Sequence, residues 1–445
     1  MKSVLILGSG MVAGPIIEYL LKKNYRLTIA SIDQGRAERL INNHPNGQSL
    51  FWDAQDEEGL QKLVKDHDLT VSLLPYKFHL MVAKICLEHQ KHMVTTSYVK
   101  PEMQKLYQEA KDRNVLLLNE IGVDPGIDHM SAMRIIDKVH REGNEIEEFY
   151  SITGALPDPK DIDNPLGYKF SWSPKGVILA SKNDATYKHK GQEVYVEPKS
   201  LFQDIFEYYF PDVGAMDVYP NRNSIDYINI YGIPEVKTIF RGTFRHKSWC
   251  ESLDAIKRLN LIETDERDLS GKTYAQFIKE VAGLQNGDLK KSIAEKLNIS
   301  EDAAAIKSIE WLGLLDAKNM NRKQDSPFEV TSDLMIEKMW MNEGDRDMVA
   351  MQHVFLIKRK DGTREVIKSR LLDFGDPKGH TSVARTVALP AAVAVDLILQ
   401  GRIQLSGVYR PVVKEIYDPV MDALEEMNIK MIEEFGLPPR ENIEK

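Results

Sequence analysis

The stretch Asn119–His129 holds the residues of this sequence that are best suited to chemistry. Asp124 and Asp128 supply carboxylates and His129 supplies an imidazole, and such groups transfer protons when their surroundings adjust their pKa values. Asp124 also opens an Asp-Pro-Gly sequence, which is typical of a tight turn. The stretch therefore suits general acid–base catalysis. The structural alternative is that Asp128 only caps the following helix and Asp124 only shapes the turn.

The elements around this stretch must place it at one edge of a sheet. The apolar run Val115–Leu118 before it has the length of a buried strand, and Ile127, Met130 and Met133 follow at helical spacing. A strand that ends in a turn before a helix directs its loop to the carboxyl edge of a parallel sheet, where ligands bind in open α/β folds. We therefore expect Asn119–His129 to face a ligand.

A second stretch, Gly8-Ser9-Gly10-Met11-Val12-Ala13, fits the G-x-G-x-x-G/A pattern of dinucleotide-binding folds. It lies between a predicted strand, Lys2–Leu7, and a predicted helix, Pro15–Lys23. Gly8 permits the tight turn, Gly10 lets the backbone approach a pyrophosphate, and Ala13 lets helix and strand pack closely. The pattern predicts a nicotinamide dinucleotide as cofactor.

The residues after the second predicted strand, Arg26–Ser31, bear on which cofactor binds. Ile32 and Asp33 follow, and Asp33 lies about 20 residues past the glycines, where an acid contacts the ribose of NAD. The alternatives are that Arg36 or Arg39 binds the 2′-phosphate of NADP, or that Asp33 is an ordinary solvated acid.

Strands and helices alternate through the first third of the chain, which predicts right-handed βαβ crossovers and a doubly wound parallel sheet. The further predicted strands are Ser49–Trp52, Leu69–Leu74, Met93–Ser97 and Val115–Asn119, and the further predicted helices are Glu57–Lys65, Phe78–His89 and Pro101–Arg113. Two loops at the carboxyl ends of these strands, Leu74–His79 and Thr95–Tyr98, add polar groups beside the predicted nicotinamide.

The pattern changes after Phe149. Arg222, Arg241 and Arg245 occur in turn-like contexts, and arginine suits bidentate carboxylate binding, although a single arginine at a strand end is usually only solvated. Thr238–Phe244 alternates like an edge strand, which would aim Arg245 at one face. The remaining predicted elements are helices within Glu251–Asp316, a hairpin of Met351–Lys358 and Arg364–Leu372 across Asp361-Gly362, and an apolar helix, Val383–Leu399, that returns to the nucleotide domain.

Composition argues against several functional classes. The net charge is −9, with acids and bases interspersed, so a nucleic-acid-binding surface is not expected. Only Cys86 and Cys250 occur, and the histidines show no ligand spacing, so we expect no metal site. No apolar run approaches the roughly 18–20 residues of a membrane span, and the N-terminus has no signal-peptide layout. These features predict a cytoplasmic enzyme.

Several contiguous motifs make the sequence resemble the saccharopine dehydrogenases of the L-glutamate-forming type. The motifs are Leu7–Ala13, Ser72–Tyr76, Thr96–Tyr98, Asn119–His129, Asn164–Trp172, Tyr219–Arg222, Arg241–Thr243, Arg346–Met348 and Gln352–His353. The resemblance implies a homodimer with three domains. These are a Rossmann dinucleotide-binding domain of residues 1–128 and 383–445, an inserted α+β substrate-binding and dimerisation domain of 129–258 and 335–382, and a small helical domain of 259–334.

The resemblance also implies a reaction, the reversible NAD(P)-linked oxidation of saccharopine to L-glutamate and 2-aminoadipate 6-semialdehyde through an imine, in lysine metabolism. It places Asp124 and Tyr98 at the reacting nitrogen as catalytic residues, and either one can be the main acid/base. The implied substrate contacts are Ser97, Tyr98, Asp124, Arg222, Thr243, Phe244 and Arg245. The implied cofactor contacts are the Gly8–Ala13 motif, Ser31, Ile32, Asp33, Asp53, Leu74, Pro75, Thr96, Ser97, Val123, Asp124, Pro125, Gly126, Ile127, Asp128 and His129.

The sequence departs from this family pattern at the cofactor site. NADP-dependent members have an arginine directly after the Ser31 position, and this chain has Ile32 followed by Asp33. Resemblance therefore favours NADP, local charge favours NAD, and both stay open. Two rival functions stay open as well: a related carboxynorspermidine or lysine-type amino acid dehydrogenase, and a sensor that binds NAD(P)H without turnover. The first would depend less on Arg222 and Arg245, and the second would tolerate loss of Asp124.

Overall fold

The computed structural model describes residues 1–285 and 287–445, and within them the chain divides into two units. The first comprises Met1–Ile146, Ile230–Ile233 and Ile357–Pro439, and the second comprises Glu147–Asn229, Pro234–Leu356 and Arg440–Lys445. The three-domain division implied by the family resemblance draws its boundaries differently and stays a prediction.

A parallel sheet organises the first unit. Its strands are β1 (Ser3–Leu7), β2 (Arg26–Ser31), β3 (Gly47–Phe51), β4 (Leu69–Ser72), β5 (His92–Val94), β6 (Leu116–Leu118) and a later strand, Gly407–Tyr409. The order across the sheet is Gly407–Tyr409, β6, β5, β4, β1, β2 and β3, and every neighbouring pair is parallel. β1 is buried along its whole length, as expected for a parallel sheet with helices on both faces. The predicted doubly wound α/β fold is confirmed.

The strand Gly407–Tyr409 was not predicted from the sequence. It extends the sheet beyond β6, with Gly407 opposite Leu116 and Tyr409 opposite Leu118. Three residues are too few to show a strand periodicity, and the partner strand lies far away in the sequence.

The helices between these strands follow the predicted alternation. They are α1 (Ala13–Lys22), α2 (Gln34–Ile41), α3 (Glu57–Lys65), α4 (His79–Glu88), α5 (Pro101–Gln104), α6 (Tyr107–Asp112) and α7 (Ile127–Arg141). One predicted helix, Pro101–Arg113, is instead the two helices α5 and α6. The break occurs where the Leu106 N–H donates to the Met103 carbonyl at 3.0 Å, because this shorter-range bond interrupts the α-helical ladder.

The helix Ser382–Leu399 packs on α1 in the first unit. Its Asp396 carboxylate accepts hydrogen bonds from Tyr25 Oη at 2.6 Å and Tyr19 Oη at 3.3 Å. In length and composition it is the one helix among the described residues that resembles a membrane span, which the sequence analysis did not anticipate, but most of it is buried inside the protein. Burial of this kind is typical of a core helix. The unit also contains the helix Lys414–Glu426 and the antiparallel strand pair Arg364–Phe374 and Ile432–Leu437.

A mixed sheet organises the second unit. Its main strands run in the order Phe206–Phe210, Gly214–Pro220, Thr238–Arg245, Glu145–Pro157 and Asp347–Lys358. Thr238–Arg245 pairs antiparallel with Gly214–Pro220 and parallel with Glu145–Pro157. The prediction of an edge strand at Thr238–Phe244 is therefore wrong. Alternating side chains report the two faces of a strand and do not report how many neighbours it has.

Among the described residues, several helices occur within Glu251–Asp316 as the sequence predicts, and the segments between them contain Gly271, Gly283 and Gly287. The helices of this unit and its border are Pro174–Ala180, Asp226–Tyr231, Trp249–Arg258, Tyr274–Val281, Leu289–Leu297, Ala304–Leu312 and Pro327–Met339. Short strands occur at Ala185–His189, Gln192–Val196, Arg222–Asn223, Arg267–Asp268 and Gln324–Asp325. In the described parts of both units, 3₁₀ turns occur at Tyr76–Phe78, Pro159–Asp161, Pro198–Ser200 and Pro439–Glu441.

The predicted turn at Asp361-Gly362 is confirmed. Gly362 has a φ of +85°, and the Arg359 N–H donates to the Thr363 carbonyl at 2.9 Å.

Candidate functional site

The glycine-rich stretch connects β1 to α1 as the dinucleotide pattern requires. Gly8 has a φ of +101°, and a Cβ there would lie 3.3 Å from the Leu73 carbonyl oxygen. Its N–H donates to the Ala30 carbonyl at 2.9 Å, which fixes the turn against β2. A Cβ on Gly10 would meet no atom within 4 Å. Gly8 is thus required by the fold, whereas the surface over Gly10 has the room that the approach of a pyrophosphate needs.

The end of β2 carries a small hydroxyl cluster and a helix cap. Ser9 Oγ lies 2.9 Å from Ser31 Oγ, and the Asp33 N–H donates to Ser31 Oγ at 3.1 Å. The Asp33 carboxylate accepts from the Arg36 N–H at 2.9 Å and caps α2. Ile32 is 68% exposed. Arg36 Nε is buried and forms no hydrogen bond within the described residues. One Asp33 oxygen therefore has a structural role, and the arginine beside it has a donor available.

The strand ends bring most of the predicted cofactor contacts to one edge of the sheet. Leu7 is opposite both Ala30 and Ser72, and Val94 is opposite Leu118, so β1, β2, β4, β5 and β6 end together. The predicted contacts that follow these ends are Gly8 to Ala13, Ser31 to Asp33, Leu74, Pro75, Thr96, Ser97 and Val123 to His129. Asp53 follows β3 and accepts from the Gln55 N–H at 2.9 Å.

Tyr98 and Asp124, the predicted catalytic residues, are in contact. Tyr98 Oη donates to Asp124 Oδ1 at 2.9 Å, and both side chains are half-buried. The loop that carries Tyr98 is held on both sides by Glu120. The Glu120 N–H donates to the Ser97 carbonyl at 3.1 Å, and the Val99 N–H donates to Glu120 Oε1 at 2.8 Å. The buried Glu120 thus fixes the backbone on both sides of Tyr98.

Glu120 is also the centre of a buried charged cluster. Its Oε1 accepts from Arg410 Nε at 2.9 Å, and its Oε2 lies 2.9 Å from His129 Nε2. The other ring nitrogen of His129 lies 2.8 Å from Tyr231 Oη. Burial favours a higher pKa for Glu120, but hydrogen bonding and charge from His129 and the charge of Arg410 outweigh it and hold the pKa below its usual value. Glu120 is therefore an ionised anchor, and the sequence analysis did not select it or Arg410.

The turn after Val123 depends on Asp128 and two glycines. Asp128 is fully buried, and its Oδ1 accepts from the Gly126 N–H at 2.6 Å. Gly126 has a φ of +148°, and a Cβ there would lie 2.0 Å from the Gly122 carbonyl oxygen. The helix-start role that was the structural alternative for Asp128 fits this geometry. The predicted cofactor contacts of Asp128 and His129 stay predictions.

A buried histidine that the sequence analysis did not select lies beside Ser97. His79 Nδ1 lies 2.9 Å from Ser72 Oγ, and its Nε2 lies 2.8 Å from Ser97 Oγ and 3.3 Å from Thr95 Oγ1. Burial lowers the pKa of His79 to about 4, so the ring is neutral near pH 7. A cavity of about 230 Å³ adjoins it and is lined by Tyr76, Lys77, His79, Leu80, Tyr98, Lys100, Glu102, Met103 and Asn119.

In the second unit, Arg245 is a buried cation that has no acidic partner among the described residues. Its residue is 5% exposed, and its Nη1 donates to the Phe244 carbonyl at 2.9 Å. Its Nε is buried without a hydrogen bond, and no salt bridge joins it to an acid in the described chain. The rings of Tyr168, Tyr219 and Trp249 lie 5.3, 5.7 and 5.8 Å from its guanidinium carbon. Because a buried charge needs a counter-charge, this arrangement suits an anionic ligand.

The other predicted substrate contacts of this unit have different surroundings. Arg222 is exposed and has a φ of +55°, and Thr243 is half-buried on the same strand as Arg245. The Phe244 ring is fully buried between Tyr208 and Phe210, so only its backbone faces the Arg245 guanidinium. Their contacts with substrate stay predictions.

Comparison with known proteins covers nearly the whole chain. Residues 4–118 match the saccharopine dehydrogenase NADP binding domain, and residues 122–429 match the saccharopine dehydrogenase C-terminal domain. The chain is 39% identical to the NADP(+), L-glutamate-forming saccharopine dehydrogenase of Schizosaccharomyces pombe, over 98% of this chain and 99% of that one. The mitochondrial alpha-aminoadipic semialdehyde synthase of Bos taurus is 35% identical over 95% of this chain and 47% of its own length.

A solved structure agrees with these sequence comparisons. The apo saccharopine dehydrogenase (L-Glu forming) from Saccharomyces cerevisiae superposes with a TM-score of 0.90. It is 33% identical, and the comparison covers 98% of this chain and 100% of that chain.

Proposed function

The chain belongs to the saccharopine dehydrogenase family, and from this membership we propose that it oxidises saccharopine reversibly to L-glutamate and 2-aminoadipate 6-semialdehyde. It is then a nicotinamide-dependent oxidoreductase of lysine metabolism that acts on a CH–NH bond. The observation that carries the proposal is the Tyr98–Asp124 hydrogen bond of 2.9 Å at the carboxyl edge of a nucleotide-binding sheet.

The glycine-rich turn and the β2 end fit a nicotinamide dinucleotide. Gly8 makes the turn, the space over Gly10 would admit a pyrophosphate, and the N-terminus of α1 would favour its negative charge. A dinucleotide held by these residues would supply the hydride acceptor for oxidation of the substrate carbon and the hydride donor for the reverse reaction. We propose NADP as the preferred form, because the matched domain and the fungal relatives are named for NADP.

The chain's own residues must move protons around the reacting C–N bond. Oxidation removes a hydride from carbon and a proton from nitrogen, and water then adds to the imine and splits it into an aldehyde and an amine. The Asp124 carboxylate accepts the proton from nitrogen and returns it to the imine nitrogen, which activates the imine toward water. It then accepts a proton from the attacking water and donates it to the departing amine, and it takes the hydroxyl proton as the C–N bond breaks and the aldehyde forms. Tyr98 Oη donates a hydrogen bond to Asp124 at 2.9 Å and so orients the carboxylate. The carboxylate can then accept from Tyr98 and from the substrate nitrogen together.

The three carboxylates of saccharopine need cationic and hydroxyl partners. Arg245 is buried without an acidic partner in the described chain, so a substrate carboxylate would supply the missing counter-charge. Ser97, Arg222 and Thr243 are the further proposed contacts. The proposed enzyme acts as a homodimer in the cytoplasm, which light scattering of the purified protein and localisation of the tagged chain would test.

The direct test is an assay with purified protein, saccharopine and either NADP or NAD, following the absorbance of reduced nicotinamide. We expect turnover, with a higher kcat/KM for NADP. Turnover of carboxynorspermidine or lysine in place of saccharopine would support the related dehydrogenase, and cofactor binding without turnover of any of them would support the sensor.

Two variants test the residue roles. Asp124→Asn should lower kcat by about 100-fold or more while cofactor affinity stays unchanged, and Asp112→Asn, at an exposed acid on α6, is the matched control. Arg245→Lys keeps the positive charge but loses the paired N–H donors of the guanidinium, which can bind both oxygens of a carboxylate. The KM for saccharopine should therefore rise about tenfold or more. Normal kcat in the first variant, or normal KM in the second, would remove that residue from its proposed role.

A further inference from the structure

His79 joins the ends of two strands through hydroxyl groups. Ser72 closes β4, Ser97 follows β5, and the imidazole bridges them at 2.9 and 2.8 Å. We infer that His79 is a positioning residue that presents the Ser97 hydroxyl as a hydrogen-bond donor to the ligand at this edge of the sheet. The inference rests on the proposed function, which places Ser97 against substrate or cofactor.

The tautomer of the neutral His79 ring determines which way the Ser72 and Ser97 hydroxyls point. A neutral imidazole has one donor and one acceptor nitrogen. In one tautomer the Ser72 hydroxyl donates to Nδ1 and the Nε2 proton is donated to Ser97 Oγ. The Ser97 proton is then available for another acceptor. In the other tautomer Ser97 spends its own proton on Nε2. A ligand carboxylate or carboxamide oxygen needs a donor, so the first tautomer is the one that serves binding.

The surroundings support this tautomer. Ser72 and Thr95 are buried in the sheet, so the Ser72 hydroxyl has the nearby Nδ1 as its partner. Thr95 Oγ1, at 3.3 Å from Nε2, is a second acceptor for the same proton. The Ser97 N–H also donates toward Thr95 Oγ1 at 3.4 Å, which holds Ser97 from its backbone side. Of the hydrogen-bonded residues Ser72, His79 and Ser97, the half-buried Ser97 is the one that reaches the carboxyl edge of the parallel sheet.

Two substitutions separate this role from simple packing. Gln at position 79 can place its amide nitrogen near the position of Nε2 and retain the donor to Ser97. Asn places its amide group near Nδ1 and retains only the contact to Ser72. We expect His79→Asn to lower kcat/KM for saccharopine about tenfold and His79→Gln to lower it by about threefold or less. If His79 served only in packing, the loss of kcat/KM in each variant would instead parallel the decrease in its melting temperature.

A double-mutant cycle with Ser97→Ala provides the second measurement. If His79 acts through Ser97, His79→Asn should cause no further loss of kcat/KM in the Ser97→Ala background. His92→Asn is the matched control, since His92 Nδ1 accepts from the Leu116 N–H at 2.9 Å near the opposite end of the same sheet. The control should change stability and leave the kinetic constants alone.

The outcomes distinguish this inference from the proposed function. Additive losses in the cycle, or an Asn variant that works better than the Gln variant, would overturn the inference while leaving the function intact. If His79→Asn does not fold, Ser72→Ala removes the other end of the bridge, and it should lower kcat/KM by several-fold only when Ser97 is present. If the wild type binds cofactor but does not oxidise saccharopine, the proposed function fails and the same cycle is measured on cofactor affinity. Absence of cofactor binding by the wild type would overturn both.

Discussion

Replacement of Glu120 by glutamine should destabilise the protein far more than the loss of a surface acid. Glu120 is 2% exposed and His129 is fully buried, and Arg410 pairs with the same carboxylate. Glutamine keeps the shape and an acceptor for Val99, but it removes the charge from two charge-assisted contacts. Breaking one buried pair typically costs about 3–5 kcal/mol when a charge is left behind, so about 3 kcal/mol is expected for this conservative change.

The measurement compares Glu120→Gln with Glu109→Gln in thermal and urea unfolding. Glu109 pairs with Arg113 at 3.0 Å, but these side chains are 47% and 42% exposed. The control should therefore lose no more than about 0.5 kcal/mol. Because Glu120 also fixes the backbone beside Tyr98, its variant should have reduced kcat even where it is fully folded. Equal unfolding midpoints for the two variants would refute the assignment of Glu120 as a buried anchor.

The pH dependence of the free energy of unfolding independently tests the direction of the Glu120 pKa shift. The pKa of Glu120 is lower in the folded protein than its ordinary value of 4.5, so the unfolded chain takes up the proton first on acidification. The stability that Glu120 contributes is present above the unfolded pKa and is lost as the pH falls through the folded pKa. The gap between wild type and Glu120→Gln should therefore narrow below about pH 4.5. A constant gap across that range would contradict the ionised anchor.

Three further predictions concern the glycines and the buried histidine. Gly10→Ala should keep the wild-type melting temperature, because the added methyl meets no atom within 4 Å, but calorimetry should show cofactor affinity reduced by about tenfold or more. Gly126→Ala should destabilise by more than about 3 kcal/mol in urea unfolding, because its Cβ would lie 2.0 Å from the Gly122 carbonyl oxygen. His79 has a pKa lowered from 6.5 to about 4, so only the unfolded chain binds its proton in that interval. Stability should fall as the pH drops from 6.5 to 4, by about 3 kcal/mol for this residue, and His79→Gln should abolish that part of the loss.

The sequence predicted correctly those parts of the architecture that are formed by segments close together in the chain. Strand and helix alternation and the glycine motif identified the parallel sheet, because each βαβ crossover lies within a short span of sequence. It did not identify Gly407–Tyr409, a three-residue strand that pairs with β6 from the far end of the chain. It also placed Thr238–Phe244 at an edge, because alternation contains no information on the number of neighbouring strands.

The site divided in a similar way. The contact between Tyr98 and Asp124 joins two residues that the resemblance had paired, although nothing in the local spacing required it. Glu120 lay inside the stretch identified as suited to chemistry. Its role as a buried anchor depends on contacts with Arg410 and Val99, and neither partner is near it in the sequence. His79 stood in a loop noted for its polar groups. Its burial between two serines depends on the packing of α4 against the sheet, which a sequence pattern does not specify.

Asp33 shows why a residue type alone is a weak guide to cofactor choice. An acid after the second strand normally argues for NAD, because its charge would repel a 2′-phosphate. Here one carboxylate oxygen accepts from the Arg36 N–H and caps α2, so the positive end of that helix offsets part of the charge. The same geometry leaves Arg36 Nε buried and without a hydrogen bond within the described residues. The hydrogen bond from the Arg36 N–H thus weakens the repulsion that the sequence predicts between Asp33 and a 2′-phosphate. A phosphate near Arg36 would also gain the Nε donor, which the described residues leave unused.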